Sequence, residues 1–183
     1  MILLKTKRLT IRDPLATDIS GWHKLLSNRE AMYYLQDIMT TTHEESRVNL
    51  DAAIAEADNP NRIKYFFAME NIQTGEFIGT VGSTVLRITP VGKIVDLGYF
   101  ILPEHQGLGY MTEAVPEVVR FAFEDINAIR INTGCITENI ASERVMQKCG
   151  FTKEGEFKCY TWHDGRMKDR VVYRMLRDAW KNR

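Results

Sequence analysis

The spacing of apolar and polar residues changes several times along the chain, and each change marks an element. Residues 3–12 alternate basic and apolar side chains around Leu9 and Ile11, the period of a half-buried strand. Asp13-Pro14 breaks it. Ile19, Trp22, Leu25 and Leu26 then recur at helical spacing, and residues 29–35 predict a further short helix. Thr42-His43-Glu44-Glu45 has the form of a capping box, a hydroxyl at the N-cap and a carboxylate at N3. The helix it opens carries Leu50, Ile54 and Ala57 on one face and stops near Asn59-Pro60. Three mostly apolar runs follow at residues 63–69, 77–86 and 94–102, parted by Thr74-Gly75 and Pro90-Val91-Gly92. Short turns between such runs predict an antiparallel meander. A Gly-rich stretch from His105 to Gly109 leads into a helix ending about Asp125. A strand is predicted at 130–136 and a helix at 139–149, closed by Gly150 at the usual C′ position. Two last strands, 151–162 and 168–176, are joined through His163-Asp164-Gly165. The order gives an α/β fold over residues 1–183: a single domain with a central mixed twisted sheet of about seven strands and helices on both faces.

Composition narrows the classes. At 183 residues one domain is expected, with a core that needs no covalent staples. Lys+Arg and Asp+Glu are 24 each, so the basic excess of a general nucleic-acid binder is missing. The longest uncharged run, residues 77–86, is ten residues, against about 20 for a membrane helix. The first residues lack the apolar stretch of a signal peptide. Cys135, Cys149 and Cys159 are odd in number and lack C-x-x-C spacing, and the histidines His23, His43, His105 and His163 are scattered. A cytoplasmic protein with reduced thiols, no metal and no membrane partner is expected.

The chemistry gathers at Gln106-Gly107-Leu108-Gly109-Tyr110-Met111, between a strand and a helix. A helix start offers unpaired N–H groups and partial positive charge, and glycines let backbone approach a diphosphate. The dinucleotide fingerprint fails because Thr112 stands where its third glycine belongs, and the chain has no Gly-Lys-Ser/Thr of a Walker A loop. Gln106-x-x-Gly109 does fit another pattern. It resembles the phosphate loop of the GNAT superfamily of acyl-CoA-dependent N-acetyltransferases, with Met111 where a small residue is usual. The likeness runs from Leu3 to Leu176. Thr6-x-Arg8-Leu9-x-Ile11-Arg12, Thr74-Gly75-Glu76-x-Ile78-Gly79, Gly98-Tyr99-Phe100-Ile101, Gly109-Tyr110-Met111-Thr112-Glu113-Ala114 and Asn139-Ile140-Ala141-Ser142-Glu143-Arg144-Val145 are similar to motifs of its ribosomal-protein N-terminal acetyltransferase branch.

The resemblance implies a GNAT-like domain that uses acetyl-CoA as cosubstrate. It implies that the pantetheine arm inserts between strands 94–102 and 130–136 and pairs with backbone at Tyr99, Phe100 and Ile101. The diphosphate is expected on the backbone of Gly107, Leu108, Gly109, Tyr110, Met111 and Thr112, with Gln106 opening the loop. Asn139 is expected against the pantetheine, although capping alone also accounts for an Asn there. Ser142 is the expected acid toward the leaving thiolate, because Met146 stands where many members carry a tyrosine. A base must take the proton of the amine. Asp96 is the first candidate; Glu154 and Glu156 are others. Pro116, two turns into its helix, predicts a bend.

The acceptor implied is a primary amine, most readily a protein N-terminal α-amine such as that of a ribosomal protein, in an enzyme whose branch is often a homodimer. A polyamine or aminoglycoside acetyltransferase, a CoA-binding module without catalysis and a mononucleotide-binding domain are the competing classes. Acceptor choice is expected from residues 19–59 and the last hairpin. Seven basic residues from Arg166 to Arg183 read as a solvated basic face with no nucleic-acid function.

Overall fold

The computed structural model describes residues 1–182. Its strands are β1 (Leu3–Lys5), β2 (Leu9–Arg12), β3 (Lys64–Asn71), β4 (Phe77–Thr89), β5 (Gly92–Ile101), β6 (Ala128–Ile136), β7 (Thr152–His163) and β8 (Arg166–Leu176). Its helices are α1 (Ile19–Leu26), α2 (His43–Ala57), α3 (Tyr110–Glu124), α4 (Ile140–Lys148) and α5 (Arg177–Lys181). The strands form one open mixed sheet in the order β1-β2-β3-β4-β5-β6-β8-β7. β5 and β6 run parallel; the pairs β1–β2, β2–β3, β3–β4, β6–β8 and β7–β8 are antiparallel. The predicted α/β class and the meander of β3, β4 and β5 are therefore present.

The chain divides into two compact units: Met1–Thr84 with Gly98–Val118, and Val85–Leu97 with the residues from Val119 onward. In the first, Leu9 and Ile11 on alternate positions of β2 are fully buried, as the period predicts. Trp22, Leu26, Met32, Leu50 and Ala68 form a core cluster against which Ile54 and Phe77 pack. The α2 capping box is made: Thr42 Oγ1 accepts from the Glu45 amide at 3.2 Å, and Glu45 Oε2 accepts from the Thr42 amide at 3.1 Å. Charges are also buried here. Arg62 donates to Asp13 at 2.7 Å, and Arg12 makes a two-pronged bond to Asp18 at 2.7 and 2.8 Å and reaches Glu70. Each cation thus has a carboxylate partner, which such burial requires.

In the second unit, β6 pairs with β8 from Arg130↔Leu176 to Ile136↔Arg170. Odd-numbered side chains such as Ile131, Cys135, Val171, Tyr173 and Met175 are buried, and even-numbered ones lie on the other face. Asn139 caps α4, and Gly150, at φ 79°, ends it in the left-handed turn predicted.

Two expectations need correction. Residues 3–12 are two strands, because the Thr6 hydroxyl accepts the Leu9 amide at 3.0 Å and turns the chain there; the sheet has eight strands among the described residues. Residues 29–35 are turns rather than a helix, since Asn28 Oδ1 takes the amides of Glu30 and Ala31 at 3.0 and 2.9 Å. As expected from the sequence, α3 runs on past Pro116, which is exposed, to Glu124. Of the basic C-terminal residues, Arg183 lies outside the described residues.

Candidate active site

In the first unit, β5 gives way to a short 3₁₀ turn at Pro103–His105, whose amides close locally: His105 on Leu102 at 3.0 Å and Gln106 on Pro103 at 3.1 Å. Gln106, Gly107, Leu108 and Gly109 are exposed, and α3 starts at Tyr110. Gly107 and Gly109 have φ of 73° and 81°, a left-handed conformation that glycine adopts without penalty. A Cβ on Gly107 would meet nothing within 4 Å, so the backbone here lies open to a ligand. The Thr112 hydroxyl donates to the Gly109 carbonyl at 2.8 Å. Tyr110 and Met111 are buried. The bulk of Met111 is therefore buried rather than projecting from the exposed loop. Tyr99, Phe100 and Ile101 are half-buried, with the Phe100 ring stacked on Phe66 at 6.1 Å.

Behind the loop stands a network that sequence reasoning missed. Glu113 accepts from the Thr6 hydroxyl at 2.5 Å, the Arg8 amide at 2.7 Å and Arg8 Nε at 2.7 Å. Burial pushes the Glu113 carboxyl up, but these donors outweigh it and hold it below the ordinary carboxylate value. Arg8 Nη1 donates to the Leu108 carbonyl at 3.0 Å, and its guanidinium lies 4.5 Å over the Tyr110 ring. Thr6, Arg8 and Glu113 all sit in the quoted motifs, but local periodicity carries no sign that they meet.

In the second unit, Asn139 Oδ1 accepts the Ser142 amide at 3.1 Å, so its acceptor is committed to the cap. The half-buried Ser142 hydroxyl is hydrogen-bonded to the Cys135 thiol, which burial pushes up in pKa. Cys135 Sγ also points at the Asn139 carbonyl at 3.6 Å. Met146 is buried and offers no proton. The Tyr173 hydroxyl donates to Glu143 at 2.8 Å and accepts from Gln147 at 3.1 Å.

The three candidate bases separate clearly. Glu154 is held by Arg130 and Arg174, and Glu156 by Lys158 and Lys153; both carboxyls lie below their ordinary value and are poor bases. Asp96 is half-buried on β5, and burial raises its carboxyl while Arg170 opposes the shift. Asp96 pairs in register with Asn132, and Asn132 with Arg174. Arg130 Nε donates to Asn132 at 2.6 Å. Asp96 therefore shares the even-numbered face with arginines, and Ser142 belongs to the other face with Cys135.

The family model for the acetyltransferase (GNAT) domain matches residues 8–152, most of the chain. The chain belongs to the GNAT acetyltransferase family. Among its relatives, the "Probable N-acetyltransferase YjcK" of Bacillus subtilis is 31% identical and covers 95% of this chain and 97% of its own. A spermidine N(1)-acetyltransferase of Vibrio cholerae is 26% identical, covering 96% and 97%. Among solved structures, a ribosomal-protein-S5-alanine acetyltransferase from Vibrio fischeri shares the fold, with a TM-score of 0.84 at 23% identity over 98% of this chain and 99% of that one. This GNAT protein is an acetyl-CoA-dependent N-acetyltransferase. In the first unit an exposed glycine loop precedes the start of α3, and in the second burial raises the pKa of the Asp96 carboxyl.

Proposed function

We propose that this N-acetyltransferase acts on the α-amine at the end of a peptide or protein. In this reading the amides of Gly107, Leu108, Gly109, Tyr110, Met111 and Thr112 bind the diphosphate of acetyl-CoA, with Gln106 at the loop's entrance. Backbone of Tyr99, Phe100 and Ile101 and the side-chain amide of Asn139 receive the pantetheine. Asp96 takes one proton from the ammonium so that the neutral amine attacks the thioester carbonyl; Ser142 gives its proton to the departing sulfur and is reprotonated by the second proton that the acylated nitrogen sheds. The acetyl group passes directly to nitrogen: the C–S bond breaks as the C–N bond forms.

The observation that carries the choice of acceptor is the company Asp96 keeps. Arg130, Arg170 and Arg174 lie on its face of the second unit, and Glu154 is already engaged by Arg130 and Arg174. A polyamine bears several positive charges and gains from clustered carboxylates; such a face repels it. A peptide brings one cationic nitrogen, together with carbonyls and acidic side chains that arginines bind well. The α-amine also asks less of the base. Its pKa is about 7.7–8.0, against about 10.4 for a lysine.

The spermidine-acetylating relative is the argument for a polyamine, since it aligns over nearly the whole chain. A peptide with a free N-terminus and one internal lysine, offered beside spermidine, decides between them. Mass spectrometry is expected to find the acetyl group on the peptide N-terminus. Acetylation of spermidine alone, or of the lysine alone, contradicts the reading.

A further inference from the structure

We propose that Arg8 is a positioning residue for the donor's diphosphate, acting through the Leu108 peptide, with Glu113 and Thr6 holding Arg8 in place; this rests on the reading of residues 106–111 as the diphosphate loop. The orientation of the Leu108–Gly109 peptide turns on ψ of Leu108 and φ of Gly109, and Gly109, at φ 81°, occupies left-handed backbone. With glycine at its C-terminal end, this peptide is freer to flip than one between two residues that carry side chains. A trans peptide is planar, with its C=O and N–H pointing in opposite directions. Arg8 Nη1 takes the Leu108 carbonyl at 3.0 Å, which fixes the Gly109 N–H on the opposite side, away from the guanidinium and available to an anion.

Arg8 can do this because it is itself constrained on several sides. Its Nε donates to Glu113 Oε2 and its amide to Glu113 Oε1, both at 2.7 Å. Its guanidinium plane lies 4.5 Å over the Tyr110 ring, and the Tyr110 hydroxyl accepts from Asn71 Nδ2 at 3.1 Å. Glu113 also takes the Thr6 hydroxyl at 2.5 Å, so the β1–β2 turn, the loop and the first turn of α3 are joined through one carboxylate. The task needs a rigid fork that binds a carboxylate with one nitrogen and a carbonyl with another; a lysine offers a single nitrogen.

The test compares kcat/KM for acetyl-CoA with that for S-acetylpantetheine, which has the same thioester and no nucleotide diphosphate. Arg8→Met and Arg8→Lys are each expected to lose about tenfold with acetyl-CoA, the low end for one charge-assisted hydrogen bond, with the loss in KM rather than kcat. With S-acetylpantetheine each is expected to lose less than about twofold, since the peptide being aimed has no partner there. Glu113→Gln, which keeps an acceptor for Thr6 but loses the ion pair, follows the same pattern with a smaller loss. Equal losses with both donors overturn the proposal, because they report general damage to the fold. Wild-type behaviour of Arg8→Lys also overturns it, because charge alone then suffices. A wild-type enzyme that uses S-acetylpantetheine as well as acetyl-CoA overturns the diphosphate reading of the loop and this proposal with it.

Discussion

Gly109 separates the shape of the loop from its charge. Its φ is 81°, and a Cβ built on it would lie 3.5 Å from Arg8 Nη2 and 3.6 Å from Thr112 Oγ1, ordinary contact distances. Any L side chain there therefore costs backbone strain and little else, about 1–2 kcal/mol. In a chain of this length that lowers Tm by roughly 2–8 °C, equally for Gly109→Ala and Gly109→Asp. Acetyl-CoA at about 100 times Kd adds about 2.7 kcal/mol to the wild type, an upward shift of roughly 5–11 °C. The alanine methyl points toward Arg8 and Thr112, and the Gly109 N–H remains, so Gly109→Ala keeps most of this shift. The aspartate places a carboxylate beside the same amides. At about 5 Å and an effective dielectric of about 20, one carboxylate–phosphate pair repels by roughly 3 kcal/mol, more than a hundredfold in Kd. At the same ligand concentration the shift in Gly109→Asp then falls to less than about 1 °C. The carboxylate also stands next to Arg8 and competes with Leu108 for it. Differential scanning calorimetry of the three proteins with and without acetyl-CoA reads both effects. A full ligand shift in Gly109→Asp refutes the assignment of this loop to the diphosphate.

Two further predictions concern the second unit. Ser142→Ala is expected to lower kcat by about 10²-fold, the low end for a general acid. The acetyl-CoA Kd should hardly change, because Asn139 bonds the Ser142 backbone amide and the cap survives the substitution; kcat within about twofold of wild type removes the acid role. Asp96→Asn is expected to abolish the acid limb of the kcat/KM profile and to lower the rate at neutral pH. The same substitution is expected to raise stability. The folded-state pKa of Asp96 lies above the unfolded one, so its ionised form costs stability above the folded pKa. That cost disappears as pH falls toward the unfolded value near 3.9. The gain in Tm of Asp96→Asn should therefore be present at pH 7 and fade in acid; a gain that grows in acid contradicts the burial argument.

What the sequence revealed and what it concealed divide along physical lines. Elements whose signals are local were legible: the Thr42 capping box, the alternation of Leu9 and Ile11, the Gly150 stop and the glycines that open the loop before α3. Local patterns failed where a side chain captured nearby backbone. The Thr6 hydroxyl splits the first strand, and Asn28 replaces a helix by turns. Candidate residues were found by type and motif, but their relative merit depended on neighbours distant in sequence. Glu154 and Glu156 look as basic as Asp96 until Arg130, Arg174 and Lys158 are brought beside them. Met111 looks obstructive until its side chain is seen to be buried. The Arg8–Glu113 contact spans 105 residues, and no period or spacing encodes it.

The most direct test of the account is to follow thiol release from acetyl-CoA by the purified protein with and without a peptide amine, and to weigh the peptide afterwards. The account predicts release that requires the amine and matches, mole for mole, acetyl groups on the peptide N-terminus. No amine-dependent release, or release matched by acetyl groups retained on the enzyme, would contradict it.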